Sequence, residues 1–175
     1  MVLYRRNRIA GGRYFFTVTL SDRKSHILTQ HIGLLRAAFW QTQSQWPFTI
    51  DAIVILPEHL HAIWTLPPDD HDYSSRWRAI KSRFTHALCR TGITVPRDVN
   101  RECRLWQRRF WEHTLRNEQD FIHHVDYIHY NPVRHGYVVS VADWPWSSFH
   151  RYVKQGLLPR DWAGDGCHVR GEFGE

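Results

Sequence analysis

Two histidines one residue apart, His59 and His61, stand in the run AIVILPEHLHAIWTL from Ala52 to Leu66. The run reads as two strands folded on each other with Pro57-Glu58 at the turn, because proline has no N–H to give a central ladder. After the turn the pattern alternates strictly. Leu60, Ala62, Trp64 and Leu66 take one face, and His59, His61, Ile63 and Thr65 take the other. On pleat geometry the two histidine Cβ atoms lie roughly 6 to 7 Å apart, close enough to share a divalent ion if a third ligand arrives from elsewhere. That third ligand and a nucleophile are offered by EQDFIHHVDYIHYNP. Here Phe121, Val125 and Ile128 recur at i, i+4 and i+7, an amphipathic helix with Asn117 placed to cap it. At roughly 100° per residue, Tyr127 and Asn131 fall about 40° apart beside the apolar stripe, Tyr130 projects about 60° from Tyr127, and His129 lies on another side. Pro132 is expected to end this helix and leave Asn131 in a frayed last turn.

A pair of metal-bound imidazoles, a phenol on an adjacent helix and a polyanion-binding surface together suit phosphodiester cleavage by a tyrosine nucleophile. The phenol, with a pKa near 10, needs the metal or a nearby base to help it. Two imidazoles and an amide oxygen leave coordination positions for phosphate and water. Such a set suits Mg2+ or Mn2+ supplied with a polyanion, and the imidazoles would also accept Zn2+ or Ni2+. Each residue taken alone has a plainer reading. An H-x-H strand occurs in many proteins without a metal, Tyr127 by itself reads as a half-buried packing tyrosine, and Asn131 before Pro132 is an ordinary helix-end residue. His123, His124, His129 and His135 read as surface or helix-end histidines without chemistry.

Charge supplies the polyanion argument. The chain carries a formal +6, yet Arg76 to Arg109 holds ten cations against two acids, a local excess of eight, so the rest nets −2. A one-sided basic segment is the footprint of a nucleic-acid binder, although a solvated helix face also carries charge. Trp106, Phe110 and Trp111 among these cations could stack on bases or pack in the core. Cys89, Cys103 and Cys167 are far apart with no C-x-x-C spacing, which argues against a disulfide framework or a structural zinc site and fits a reducing compartment. No apolar run reaches the roughly 18 residues of a membrane span, and MVLYRRNRIAGGRYFF lacks a signal-like apolar core, so a cytoplasmic location is expected.

The elements that must position these residues follow from periodicity. A basic arm ending in Gly11-Gly12 leads into a strand at Tyr14–Leu20, and a helical spacing runs from His31 to Trp46. The hairpin of Phe48–Leu56 and His59–Leu66 comes next, then a helix over Tyr73–Arg90 with cations on its outer side, a loop to Arg104, and a last strand at Leu105–Leu115. Strand, helix, strand, strand, helix, strand is the order of an α+β, ferredoxin-like sandwich with both helices on one face of an antiparallel sheet. Leu60, Ala62 and Trp64 would meet those helices. The histidine face is left for the segment after Asn117. At 175 residues one domain is expected, with an arm at 1–13, the sandwich at 14–115, the tyrosine helix at 116–133, and a short aromatic helix and tail at 144–175.

Four stretches in order resemble one family: ILPEHLH, QRRFWEHTLRNEQDF from Gln107, DYIHYNPVRHGYV from Asp126 and WPWSSFHRY from Trp144. Together they resemble the REP-associated tyrosine transposases, relatives of single-stranded-DNA insertion-sequence transposases within the HUH endonuclease superfamily. The similarity spans roughly Tyr14 to Trp162. It implies metal ligation by His59, His61 and Asn131, and a nucleophile at Tyr127. It further implies Mg2+ or Mn2+ as cofactor, and cleavage and rejoining of single-stranded DNA at hairpins of repetitive extragenic palindromes through a 5′-phosphotyrosine intermediate. Arg5, Arg6, Arg8 and Arg13 in the arm, with Arg78, Lys81, Arg83, Arg108 and Arg109, would contact the DNA. A bacterial, nucleoid-associated monomer is implied in preference to a homodimer. The readings that compete with it are a structure-specific hairpin-binding protein without cleavage and a metal-dependent RNA-processing enzyme.

Overall fold

Alternating aromatic and β-branched residues in RYFFTVT make β1 (Arg13–Thr19), a strand buried on both faces. In the computed structural model, which describes residues 7–97 and 103–163, it pairs antiparallel with β3 (His59–Thr65) on one side and β4 (Trp111–Thr114) on the other. β2 (Thr49–Ile55) completes a four-stranded antiparallel sheet of order β2-β3-β1-β4. The α+β sandwich expected from the sequence is the fold observed.

Register decides which side chains share a layer. Tyr14 opposes Trp64, Phe16 opposes Ala62 and Val18 opposes Leu60, and all enter one apolar cluster. Two helices cover that face, α2 (Ile32–Gln45) and α3 (Tyr73–Arg90), the second capped by the Asp72 side chain, which accepts from Ser75 N–H at 3.0 Å. The cluster is rich in aromatics: the Trp64 ring stacks on Trp77 with centroids 4.1 Å apart at 17°, and lies 4.2 Å from Phe48. The opposite face receives Phe15, Ala52, Val54 and Ile63, and α4 (Glu118–Arg134) lies across it with Val125, Tyr127 and Ile128 turned inward. After α4 the chain runs along β2: Ile55 N–H donates to Trp146 O at 2.9 Å and Ser148 N–H to Ile53 O at 2.8 Å. That contact and the short helix α5 (Phe149–Lys154) cover an edge that would otherwise offer bare peptide groups.

Several expectations need correcting. The last strand is β4 alone, four residues long, not the whole of Leu105–Leu115. Trp106 and Phe110 pack with the α2/α3 layer while Trp111 packs with the α4 layer. The chain meets the end of β1 before that, where Ser21 N–H donates to Leu105 O and Gln107 N–H to Thr19 O, both at 2.9 Å, and regular pairing resumes only at β4. A one-turn helix, α1 (Ile27–Gln30), precedes α2; four residues are too few to show a period. Arg76, one of the cations expected on the outer side, is 2% exposed and donates to Asp72 O, Pro47 O, Trp46 O and, at 2.6 Å, to the Asp70 carboxylate. The arm is fastened from Asn7 onward: Tyr73 hydroxyl donates to Asn7 O at 3.0 Å, Tyr14 hydroxyl to Ile9 O at 2.8 Å, and Gly11, at φ +66°, donates its N–H to Asp70 O. α4 continues to Arg134 instead of stopping at Pro132. Proline removes one N–H from the ladder, but His135 N–H still reaches Asn131 O at 3.0 Å, so the last turn closes around it. Cys89 and Cys103 are free thiols, while Arg5, Arg6 and Cys167 lie outside the described residues.

Candidate active site on the α4 face

The strict alternation of β3 sends His59 and His61 to the α4 face, and both are fully buried there. Their ring centroids are 4.9 Å apart. Each uses its Nδ1 for a neighbour: His59 meets Glu58 Oε1 at 2.8 Å and His61 meets Thr17 Oγ1 at 2.9 Å. Burial pushes the Glu58 carboxyl up, but the hydrogen bond and charge of His59 together with Arg23 outweigh it and hold the group below the usual carboxylate range. A carboxylate only accepts, so the His59 proton sits on Nδ1 and Nε2 is the nitrogen able to take a metal. Carboxylate to imidazole to ion is the arrangement by which metal-binding histidines are commonly oriented.

α4 brings the phenol. The Tyr127 ring centroid lies 5.1 Å from that of His61 and 5.9 Å from that of Phe15, and the residue is 2% exposed. Asn131 follows one turn later on the same helix and is fully buried. Tyr130 is 40% exposed, so the helix turns only the first tyrosine of YIHY toward the histidines. The donor set of two imidazoles and a buried amide fits a hard or borderline divalent ion that keeps open positions.

Sequence reasoning misses residues that arrive after the helix. Gly136, at φ +72°, reverses the chain beyond α4 as a left-handed C-terminal glycine does. His135 is thereby placed with its ring 5.3 Å from His59, and Tyr137 hydroxyl donates to Glu58 Oε2 at 3.4 Å. Arg134 lies over the Tyr127 ring at 5.3 Å, and Arg23 stands 3.7 Å from Glu58. The one signal for this in the sequence is Arg134-His135-Gly136, a helix stop loaded with polar side chains. His124 and His129, expected at the surface, are buried. His129 Nε2 meets Ser148 Oγ at 3.0 Å, and burial, with Arg151 and His150 nearby, pushes its pKa down to about 3.

The expected DNA-contacting cations divide between the two faces. Arg13 is on the α4 side, over the Phe121 ring at 4.2 Å and 3.7 Å from Glu118, and Arg8 is exposed in the arm. Arg108 and Arg109 are exposed just before β4. Arg78, Lys81 and Arg83 belong to α3, across the sheet from the histidines. There Lys81 donates to Gln107 O at 3.1 Å and Arg83 to Thr42 Oγ1 at 2.6 Å. No helix among the described residues is long and apolar enough to cross a membrane.

Fold and site together define a small antiparallel α+β sandwich carrying a histidine pair on one sheet face and a tyrosine helix laid over it. No family model matches the chain. Its sequence is 53% identical over 162 residues to the REP-associated tyrosine transposase of Escherichia coli (strain K12), covering 93% of this chain and 91% of that one. It is 48% identical over 165 residues to a protein of Haemophilus influenzae, covering 93% of each. A solved structure of a REP-associated tyrosine transposase bound to a REP hairpin superposes with a TM-score of 0.84 at 53% identity, covering 94% of this chain and 93% of that one. The chain belongs to the REP-associated tyrosine transposases.

Proposed function

We propose that this protein is a metal-dependent endonuclease and strand transferase that cuts and rejoins single-stranded DNA at hairpins of repetitive extragenic palindromes, with Tyr127 as nucleophile. The observation that carries the reading is the position of the Tyr127 ring 5.1 Å from His61, on the sheet face that the histidine pair shares. The hairpin comes from the solved relative described with one bound. His59, His61 and Asn131 would hold Mg2+ or Mn2+, which when bound supplies a Lewis acid to the scissile phosphate and offsets charge on its oxygens. Glu58 and Thr17 orient the two imidazoles. The Tyr127 oxygen attacks phosphorus, a tyrosyl O–P bond forms and the P–O3′ bond breaks; the phenolic proton leaves and the 3′-oxygen ends protonated. Arg134, over the Tyr127 ring, is placed to favour the developing phenolate. Rejoining reverses the step, with a 3′-OH attacking the phosphotyrosine.

Arg5, Arg6, Arg8 and Arg13 of the arm, with Arg108 and Arg109 before β4, would take phosphates beside the site. Arg78, Lys81 and Arg83 would serve DNA that reaches round the β4 edge to the α3 side. Because α4 rests on the sheet of its own chain, one subunit carries both the histidines and the phenol, as a monomer would require. The protein would act on nucleoid DNA in the cytoplasm. The test is incubation with a labelled palindromic oligonucleotide and Mg2+. The wild type and Tyr130→Phe should form a covalent adduct, and Tyr127→Phe should form none. An adduct that survives Tyr127→Phe and disappears in Tyr130→Phe would overturn the assignment. Hairpin binding without any cleavage would identify a binding protein instead.

A further inference from the structure

A second group of ligand-bearing side chains stands on the same sheet face, toward the β4 edge. His113 on β4, and Asp120 and His124 in the first turns of α4, each bring one ligand atom to within 4.8 Å of the others. His113 Nε2 is 3.0 Å from Asp120 Oδ2, and His124 Nδ1 is 3.1 Å from Asp120 Oδ1. The two imidazoles are stacked, with centroids 4.9 Å apart and planes 14° from parallel. Ligands in a tetrahedron with bonds of about 2.1 Å sit roughly 3.4 Å from one another. The two carboxylate contacts are near that value through different oxygens, all three ligand atoms lie within 4.8 Å of one another, and rotation of the two rings would turn their nitrogens onto a shared ion.

The surroundings suit a built site. Arg116 N–H donates to Asp120 Oδ2 at 3.1 Å, fixing the carboxylate, and Asp120 N–H donates to Asn117 Oδ1 at 2.8 Å, fixing the helix start. Trp111 lies parallel to His113 at 5.9 Å, and Phe15 closes the inner side 4.7 Å from His124. His113 also lines a surface groove of about 490 Å3 with Asn7, Ile9 and Arg116, which gives an ion a way in. His124 Nδ1 lies 2.8 Å from Asp120 O, so coordination through that nitrogen would move its proton to Nε2.

We propose that His113, Asp120 and His124 form a second metal site, selective for a borderline divalent transition ion such as Zn2+, which clamps the start of α4 to the edge strand β4. Two imidazoles and one carboxylate favour such an ion over Mg2+ and leave a fourth position for water. The consequence reaches Tyr127. It lies one turn beyond His124, and the Phe15 ring packs between His124 at 4.7 Å, His61 at 5.5 Å and Tyr127 at 5.9 Å. An ion here would fix the helix that carries the phenol to the edge strand. The inference does not depend on the cleavage reading.

The test is titration of the full chain with Zn2+ in the absence of DNA, followed by calorimetry and thermal melting. It is done in a His59→Ala/His61→Ala background so that the first histidine pair does not contribute. One equivalent of Zn2+ should bind and raise the melting temperature, while Mg2+ at the same concentration should do neither. Adding His113→Gln, at a partly exposed edge position, should abolish that equivalent with the circular dichroism spectrum unchanged, and Asp120→Asn should do the same. Absence of bound Zn2+ in the background protein, or an equivalent that survives both added substitutions, would overturn the proposal.

Discussion

The two faces of the sheet are built from the same four strands and differ in what stands at their centres. Toward α2 and α3 stand Tyr14, Phe16, Leu60, Trp64, Trp77 and Phe84, a layer of buried apolar and aromatic side chains beside which Thr42, Arg76 and Glu112 are also buried. Toward α4, apolar residues such as Phe15, Val54 and Ile128 are interleaved with fully or nearly fully buried polar groups: Thr17, Glu58, His59, His61, His129 and Asn131. Burying polar groups costs free energy unless each finds a partner, so a protein that needed only stability would not fill one face this way. The first face holds the main apolar core and the second the candidate site, and β1 and β3 supply both by sending alternate residues to opposite sides.

Substitutions that separate the two roles test this division. Trp64→Ala should have the largest effect on stability, a loss of about 3–5 kcal/mol by urea denaturation, because it opens a large cavity beneath α2 and α3. A loss below about 1 kcal/mol would show that this face is not the structural one. The Arg76–Asp70 link at the rim of that layer comes next. Asp70→Asn should cost about 1.5–3 kcal/mol, the range for a hydrogen bond to a charged group, because the buried guanidinium loses its anion. The hydrogen bond from Arg76 holds the Asp70 carboxyl below its ordinary pKa despite partial burial. Its contribution is therefore present above the unfolded value near 3.9 and disappears as pH falls through the lower folded value. Wild type should lose stability between about pH 4 and pH 2 more steeply than Asp70→Asn, measured by melting temperature across that window.

On the other face the effects should fall on metal binding. Glu58→Gln keeps the shape but removes the charge that orients His59, so Mn2+ affinity should drop about 10- to 100-fold while hairpin affinity in chelator stays unchanged. An unaltered Mn2+ affinity would remove Glu58 from the site. Smallest in stability is the double change Thr17→Val/His61→Leu, which replaces both partners of a buried hydrogen bond with apolar groups. It should shift unfolding by no more than about 1 kcal/mol and abolish metal-dependent cleavage. A large destabilisation would mean that His61 serves the fold as well.

What can be read without coordinates follows the same division. The two-residue period of HLHAIWT assigns Trp64 and His61 to opposite faces with no knowledge of what covers either, and the i, i+4, i+7 stripe of α4 gives the side that lies on the sheet. That Tyr127 turns inward and Tyr130 outward is legible from helix geometry for the same reason. Residues whose place depends on the chain turning back are not. His135 and Tyr137 reach Glu58 and His59 only because Gly136 takes a left-handed conformation, and nothing periodic announces that. Arg76 misleads because a charged residue on a helix is usually outside; its partners, Asp70, Trp46 O and Pro47 O, come from two separate segments. His129 misleads likewise, since the groups that bury it, Ser148, Phe149 and Tyr152, come from the later segment at α5, and a helical period does not say where that segment docks.

The most direct measurement of the central claim is the anomalous scattering of Mn2+ in a crystal of the Tyr127→Phe protein with an intact palindromic hairpin. The expected result is a peak bonded to Nε2 of both His59 and His61, with the scissile phosphate lying between the ion and the ring substituted at position 127. A Mn2+ ion that bypasses the pair, or a scissile phosphate lying against Tyr130 instead, would contradict it.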